Sequence, residues 1–297
     1  MHEEIQSDPI IRRTEQREGP RGLSKLARET FYLYLRQMRR LARRRTMIAF
    51  SLVQPMIWLV LFGQMFSHVT QFPGAAVQFG SVSYLQIFLP SVILQSIMFG
   101  SGQSGVGMIQ DIDSGFLDKL LTTPINRFSI LLGRIFGDLT RLLIQAIIII
   151  LIGWGMGWVQ EPRVVFYYGI PGIVGALCIG LLAAVTLAGL NIFIALTTKN
   201  TESTFTISNF LTFPLIFVSG SQLPLSLMPK WMQIIAHFNP LNYAVDGMRV
   251  LLNGPAAVVS EPGLSAGMAV LQAVVLLTVL SVITVTLATN SFRRMVS

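Results

Sequence analysis

The chain has 297 residues, of which 52% are apolar and only 12% charged, about half the charged share of a soluble domain. Several apolar runs reach the roughly 20 residues a helix needs to cross a hydrocarbon layer, which excludes an ordinary soluble domain. The net charge of +8 reads as topological and membrane-surface charge, not as a nucleic-acid footprint.

Residues 1–22 are polar and contain Pro and Gly, the composition of a disordered tail. From residue 23 to 45 an amphipathic helix is expected. Leu26, Leu33 and Leu41 and the aromatics Phe31, Tyr32 and Tyr34 intersperse with Lys25, Arg28, Arg36, Arg39, Arg40 and Arg43 to Arg45. Such a helix suits the headgroup region, with its arginines toward anionic lipid. The polar stretch of about 45 residues before the first apolar run is unlike a secretory signal peptide.

The apolar runs predict six transmembrane helices at residues 46–66, 84–109, 138–158, 168–197, 204–219 and 267–289. Their Gly- and Pro-containing lengths fit helices, since barrel strands alternate in segments of about ten residues. Pro55 and Pro90 are expected to kink the first two, and Pro214 to break the short fifth. Of the 22 Lys and Arg residues, only Arg163, Lys230 and Arg249 fall on one side of this arrangement. The positive-inside rule therefore puts both termini in the cytoplasm. The lone Cys178 excludes an intrachain disulfide and reads as a small buried hydrophobe. Glycine clusters at 100–107, 153–158 and 169–180 allow close helix approach.

Between the second and third runs lies "QDIDSGFLDKLLTTPINRFSILLGR", residues 110–134. Asp113 or Ser114 can cap a short helix carrying Phe116, Leu117, Leu120 and Leu121, which Pro124 stops. An exposed Phe-Leu face would suit docking into another protein's groove; the alternative is packing against the protein's own base. Near the C-terminal end "HFNPLNYAVDGMRVLLNG" places Asp246 and Arg249 three apart on one helix face. They read as an ion pair fixing a hairpin, with a substrate contact as the alternative.

Chemistry of its own is not legible in this chain. The four lysines follow Ser24, Asp118, Thr198 and Pro229, and none follows a Gly, so no phosphate loop is present. His2, His68 and His237 are scattered, with no catalytic, cofactor or metal constellation around them. Asp138 and Arg141 are the charged residues within the runs and read as a paired anchor at the membrane boundary, not a proton relay.

Two motifs carry a resemblance. Asp113, Gly115, Leu117, Leu120, Leu121, Thr123-Pro124 and Gly133-Arg134 fill one; "FPLIFVSGSQLP" followed by Asn239, Pro240, Leu241, Tyr243, Asp246 and Arg249 fills the other. In this order they resemble type-2 ATP-binding-cassette (ABC) permeases, with the look of the daunorubicin/doxorubicin-resistance multidrug type. Asp113 stands where that family often has Glu. The resemblance implies a transmembrane domain over 46–292, a cytoplasmic coupling helix at 113–124, and an extracytoplasmic helical hairpin between spans five and six. It implies a second permease copy and two separate ATPase subunits that hold ATP and magnesium. Export of a drug or lipid-like compound across the cell membrane follows, or of a glycolipid or polysaccharide intermediate. A membrane-embedded lipid-modifying enzyme would need a His/Asp cluster, and a channel a polar ring along one span.

Overall fold

The computed structural model describes residues 22–43, 45–65, 84–123, 125–157, 164–221, 225, 228–257 and 265–296. The tail read at 1–22 lies outside them except for Gly22, as do His2 and His68. Among the described residues the fold is all-helical. The helices are α1 (Leu23–Arg43), α2 (Arg45–Met65), α3 (Tyr84–Asp113), α4 (Phe116–Leu121), α5 (Arg127–Met156), α6 (Gly169–Thr198), α7 (Thr201–Phe217), α8 (Lys230–His237), α9 (Pro240–Asn253) and α10 (Ala266–Val296). By length and composition, α3, α5, α6 and α10 can each cross a membrane. The apolar part of α2 is the shorter Ala49–Met65, and α7 has 17 residues.

Local chemistry starts these helices. Asn126, Asn200 and Asn239 each accept a backbone N–H of the following turn, from Phe128, Ser203 and Leu241. Pro240, which has no N–H to lose, occupies the first turn of α9. The helices run through Pro55 and Pro90, and α7 continues past Pro214 to Phe217, so Pro214 does not break it.

The centre of the bundle is α3, buried without interruption from Tyr84 to Met98. Its apolar side chains meet α5, α6 and α9 in one core that includes Phe88, Val92, Ile93, Leu142, Ile149, Ala184, Val245 and Met248. A helix enclosed this way must satisfy its polar side chains internally, and α3 uses them as anchors. Gln86 donates to Val165 O, Ser96 accepts from Gln145, and Ser101 accepts from Asn191. The α3–α6 approach is close enough that a Cβ on Gly105 would lie 2.5 Å from Asn191 O.

One boundary and one burial reading change. α5 begins at Arg127, well before residue 138, because the charged stretch ahead of the apolar run is helical too and buries Ile130, Leu131 and Ile135. Cys178 is exposed, not buried: it follows Ile170 and Val174 at four-residue steps along the outward face of α6.

Candidate functional site

The early turns of α5 are the seat for α1. Cβ atoms placed on Gly133 and Gly137 would lie 2.6 Å from Leu33 Cβ and 2.7 Å from Gln37 Cβ, so these glycines admit α1 at close range. Polar contacts fix the register. Glu29 accepts from Asn126 N and Ser129 Oγ, both at 3.0 Å, and Thr140 Oγ1 lies 3.3 Å from the Tyr34 hydroxyl.

Beside this seat, at the end of α3, Asp111 collects three guanidinium groups. Arg134 reaches it at 2.6 Å, Arg40 at 3.1 Å and Arg36 at 3.6 Å, tying α1, α3 and α5 together. Burial pushes the Arg36 guanidinium below its ordinary value, and Asp111 opposes the shift. The Arg36 guanidinium carbon also lies 3.2 Å from the Phe116 ring centroid. Asp113, the acidic position of the sequence motif, is exposed; Asp111 is the anchored carboxylate.

The chain leaves α3 through Gly115, whose φ of 64° is the left-handed conformation that Gly adopts without a Cβ clash. Gly115 is itself the cap of α4, with no side-chain bond, so neither Asp113 nor Ser114 serves as expected; Ser114 Oγ donates back to Asp111 O. The expected exposed Phe-Leu face is also revised. Leu117 is 3% exposed in a core with Met108, Leu131, Ile192 and Phe292; Leu120 packs against that core, and Phe116 lies under Arg36. The outward residues are Asp113, Ser114, Asp118, Lys119, Thr122 and Thr123. Pro124 and the side chain of Leu121 lie outside the described residues.

At the other end of the bundle, α8 and α9 form the second motif. Asn239 Nδ2 donates to Leu215 O at 2.6 Å, and the Tyr243 hydroxyl donates to His237 O at 2.8 Å. Leu241 packs in the main core. Arg249, 2% exposed, meets Asp246 at 3.4 Å, as the three-residue spacing suggested. It also donates to Ile87 O, Ser91 Oγ and Ser221 O at 3.1–3.2 Å. Burial pushes this guanidinium down from its ordinary value while Asp246 holds it up. Along α8 and its C-terminal cap, Trp231, Ile234 and Phe238 form an exposed apolar stripe.

The family model for the ABC-2 type transporter matches residues 28–253, a span that includes both motifs and most of the bundle. The chain belongs to this family. The ycf38 protein of Cyanophora paradoxa, named as a transport permease, is 31% identical over 75% of this chain and 73% of its own. The daunorubicin resistance ABC transporter permease of Streptomyces coeruleorubidus is 26% identical over 69% of this chain and 68% of its own. A multidrug ABC transporter permease of Escherichia coli is 24% identical over 56% and 43%. ABC-2 chains are the transmembrane subunits of ABC transporters and normally pair with separate ATP-hydrolysing subunits.

In this ABC-2 permease, Asp138 and Arg141 do not pair as expected. Asp138 lies 3.9 Å from Arg134, and Arg141 donates to Gly100 O. The residues that sequence reasoning missed are Asp111 and its arginines and the Gln86, Ser91 and Gln145 anchors. The many arginines of residues 23–45 were the available signal that a carboxylate would be gathered, without telling Asp111 from Asp113.

Proposed function

We propose that this chain is the permease subunit of an ATP-driven exporter that moves a hydrophobic or amphipathic compound, drug or lipid-like, out across the cytoplasmic membrane. In this reading α2 and α7 also cross, giving six spans with both chain ends in the cytoplasm. The permease works as two copies with two separate ATPase subunits, which hold the ATP and magnesium. The match over residues 28–253 carries the reading, and the relatives named for drug resistance support the cargo class.

In this arrangement α1 lies along the cytoplasmic face, α4 is the coupling element, and the α8–α9 hairpin faces outward, its exposed Trp231 and Phe238 suited to an interface. The ATPase meets the polar outer side of α4, while Leu117 and Phe116 pass displacement inward to α1, α3 and α5. ATP binding then shifts the population of bundle conformations through that contact.

The test is charge reversal on the outer side of α4. Asp118→Lys with Lys119→Glu should reduce co-purification of the ATPase from native membranes, or ATP-driven daunorubicin uptake by inverted vesicles, at least about tenfold. Both quantities at wild-type level would remove α4 as the coupling element. Absence of any ATP-hydrolysing partner and of ATP-dependent uptake in the wild type would overturn the export reading itself.

A further inference from the structure

Two cavities, of about 110 and 130 Å³, adjoin across Gln103 and Arg141, the first between α1, α3 and α5 and the second between α2, α3 and α5. The first is walled by Gln37, Arg40, Gln110, Arg134 and Asp138, at the end of the bundle where Asp111 gathers its arginines. The second is walled by Gln54, Trp58, Gln95, Ser96, Phe99 and Gln145. Their joint wall is a string of glutamines with a cation at the junction.

The junction is also unsatisfied. Arg141 is 8% exposed, yet its hydrogen bonding among the described residues is one donation, from Nη2 to Gly100 O at 2.6 Å. A guanidinium has five N–H donors, so four remain to be matched. Gln145, 3% exposed, donates to Ser51 O and Ser96 Oγ, while its buried Oε1 receives no hydrogen bond. A buried cation with spare donors is costly unless something anionic or strongly accepting completes it. Asp138 acts on Arg141 only through space and accepts no hydrogen bond from it, its Oδ2 lying 3.9 Å from Arg134, so the spare donors stay unmatched. Charges facing the two cavities are Arg40, Arg134 and Arg141 against Asp138. Asp111 and Arg36 behind them add one of each sign, so the excess is positive.

Depth gives the ligand its shape. With the apolar run of α5 taken from residue 138, Arg141 lies roughly 5 Å inside the basic boundary at 1.5 Å per residue. Beyond it, Trp58 and Phe99 continue the wall with aromatic surface. We propose that this cleft binds the anionic headgroup, phosphate or carboxylate, of an amphipathic molecule, with the apolar part of that molecule running along Trp58 and Phe99. Arg141 completes its hydrogen bonding on the headgroup, Gln145 Oε1 accepts from a hydroxyl of the same molecule, and Gln103 closes the cleft from the exposed side. That the molecule is cargo rests on the export reading; that it binds does not.

The experiment titrates the purified permease, in a neutral maltoside detergent, with oleoyl lysophosphatidic acid and with oleoyl lysophosphatidylcholine. The wild type should prefer the anionic probe by about tenfold or more, because charge-assisted bonds to phosphate are the stronger kind. Arg141→Gln should erase the preference, Arg141→Lys should keep part of it, and Gln103→Glu, at an exposed position, should weaken the anionic probe alone. Equal affinity for both probes in the wild type overturns the proposal. So does an unchanged preference in Gln103→Glu, which stands as the test where Arg141→Gln does not fold. Mass spectrometry then separates the sources of the headgroup. One anionic phospholipid per chain retained through ATP turnover is a resident lipid, and a probe exchanged with turnover is cargo; both outcomes keep the site. Selective binding without export by any ATPase-loaded preparation leaves the site standing and removes only the transport reading.

Discussion

Replacing Arg249 with Ala is the severest single change the geometry of the α8–α9 hairpin allows. The side chain is 2% exposed and joins α9 to Ile87 and Ser91 of α3, to Ser221 after α7, and to Asp246. Deleting one member of a buried ion pair costs about 3–5 kcal/mol, because the remaining charge is left without compensation. At about 2–4 °C per kcal/mol for a chain of this size, the apparent melting midpoint should fall by roughly 10 °C. Asp246→Asn removes the counter-charge but keeps an acceptor and leaves Arg249 its other three, so it should cost less, about 1.5–3 kcal/mol. The double exchange, Asp246→Arg with Arg249→Asp, should not rescue. A simple surface pair would tolerate exchange, but here a carboxylate at position 249 would face the carbonyl oxygens of Ile87 and Ser221. The assay is fluorescence-detected size exclusion after heating at a fixed rate, in one detergent, because membrane-protein unfolding is commonly irreversible. A midpoint for Arg249→Ala within about 2 °C of wild type, or full recovery in the exchanged protein, would refute the reasoning.

Leu117→Ala should lower folded yield, at a cost of about 2–5 kcal/mol for a buried Leu, whereas Lys119→Glu should leave the melting midpoint unchanged in the same assay. Gly105→Ala should destabilise because its Cβ would meet the backbone oxygen of Asn191, while Gly102→Ala, with nothing within 4 Å, should be neutral or slightly stabilising. In a Cys178→Ala background, Asn126→Cys should resist an impermeant thiol reagent in intact cells and Ser260→Cys should react; labelling at position 126 from outside would overturn the proposed topology.

The long helices were legible because apolar length is a one-dimensional property; the Asn126, Asn200 and Asn239 caps are equally local but were not read as caps. Partner choice is not local. Asp111 and Asp113 are two residues apart on α3, about 200° around the helix, so they face opposite ways. Only the position of α1 and α5 decides that Asp111 is anchored and Asp113 is exposed. The apolar stripe of α4 was visible, but whether it faces a foreign groove or the chain's own core depends on Met108, Leu131 and Phe292, which come from three other helices. The Asp246–Arg249 spacing announced a pair; its three further acceptors lie on α3 and in the turn after α7, as far as 162 residues away. The early start of α5 was hidden because its charged residues resembled a loop until α1 and Asp111 supplied their partners.

The seating of α1 on α5 also sets an order of events at the ribosome. α1 is synthesised before every surface that receives it: Ser129, against which Leu26 sits, comes 103 residues later. At about 5–20 residues per second that separation lasts roughly 5–20 s. Early in this interval neither Asp111, 71 residues beyond Arg40, nor the glycine-lined groove of α5 exists yet, and an arginine-rich segment of this kind suits anionic lipid. α1 is therefore fastened only after α5 has followed it, and a chain stalled before residue 140 would carry a loose basic strap at the membrane surface.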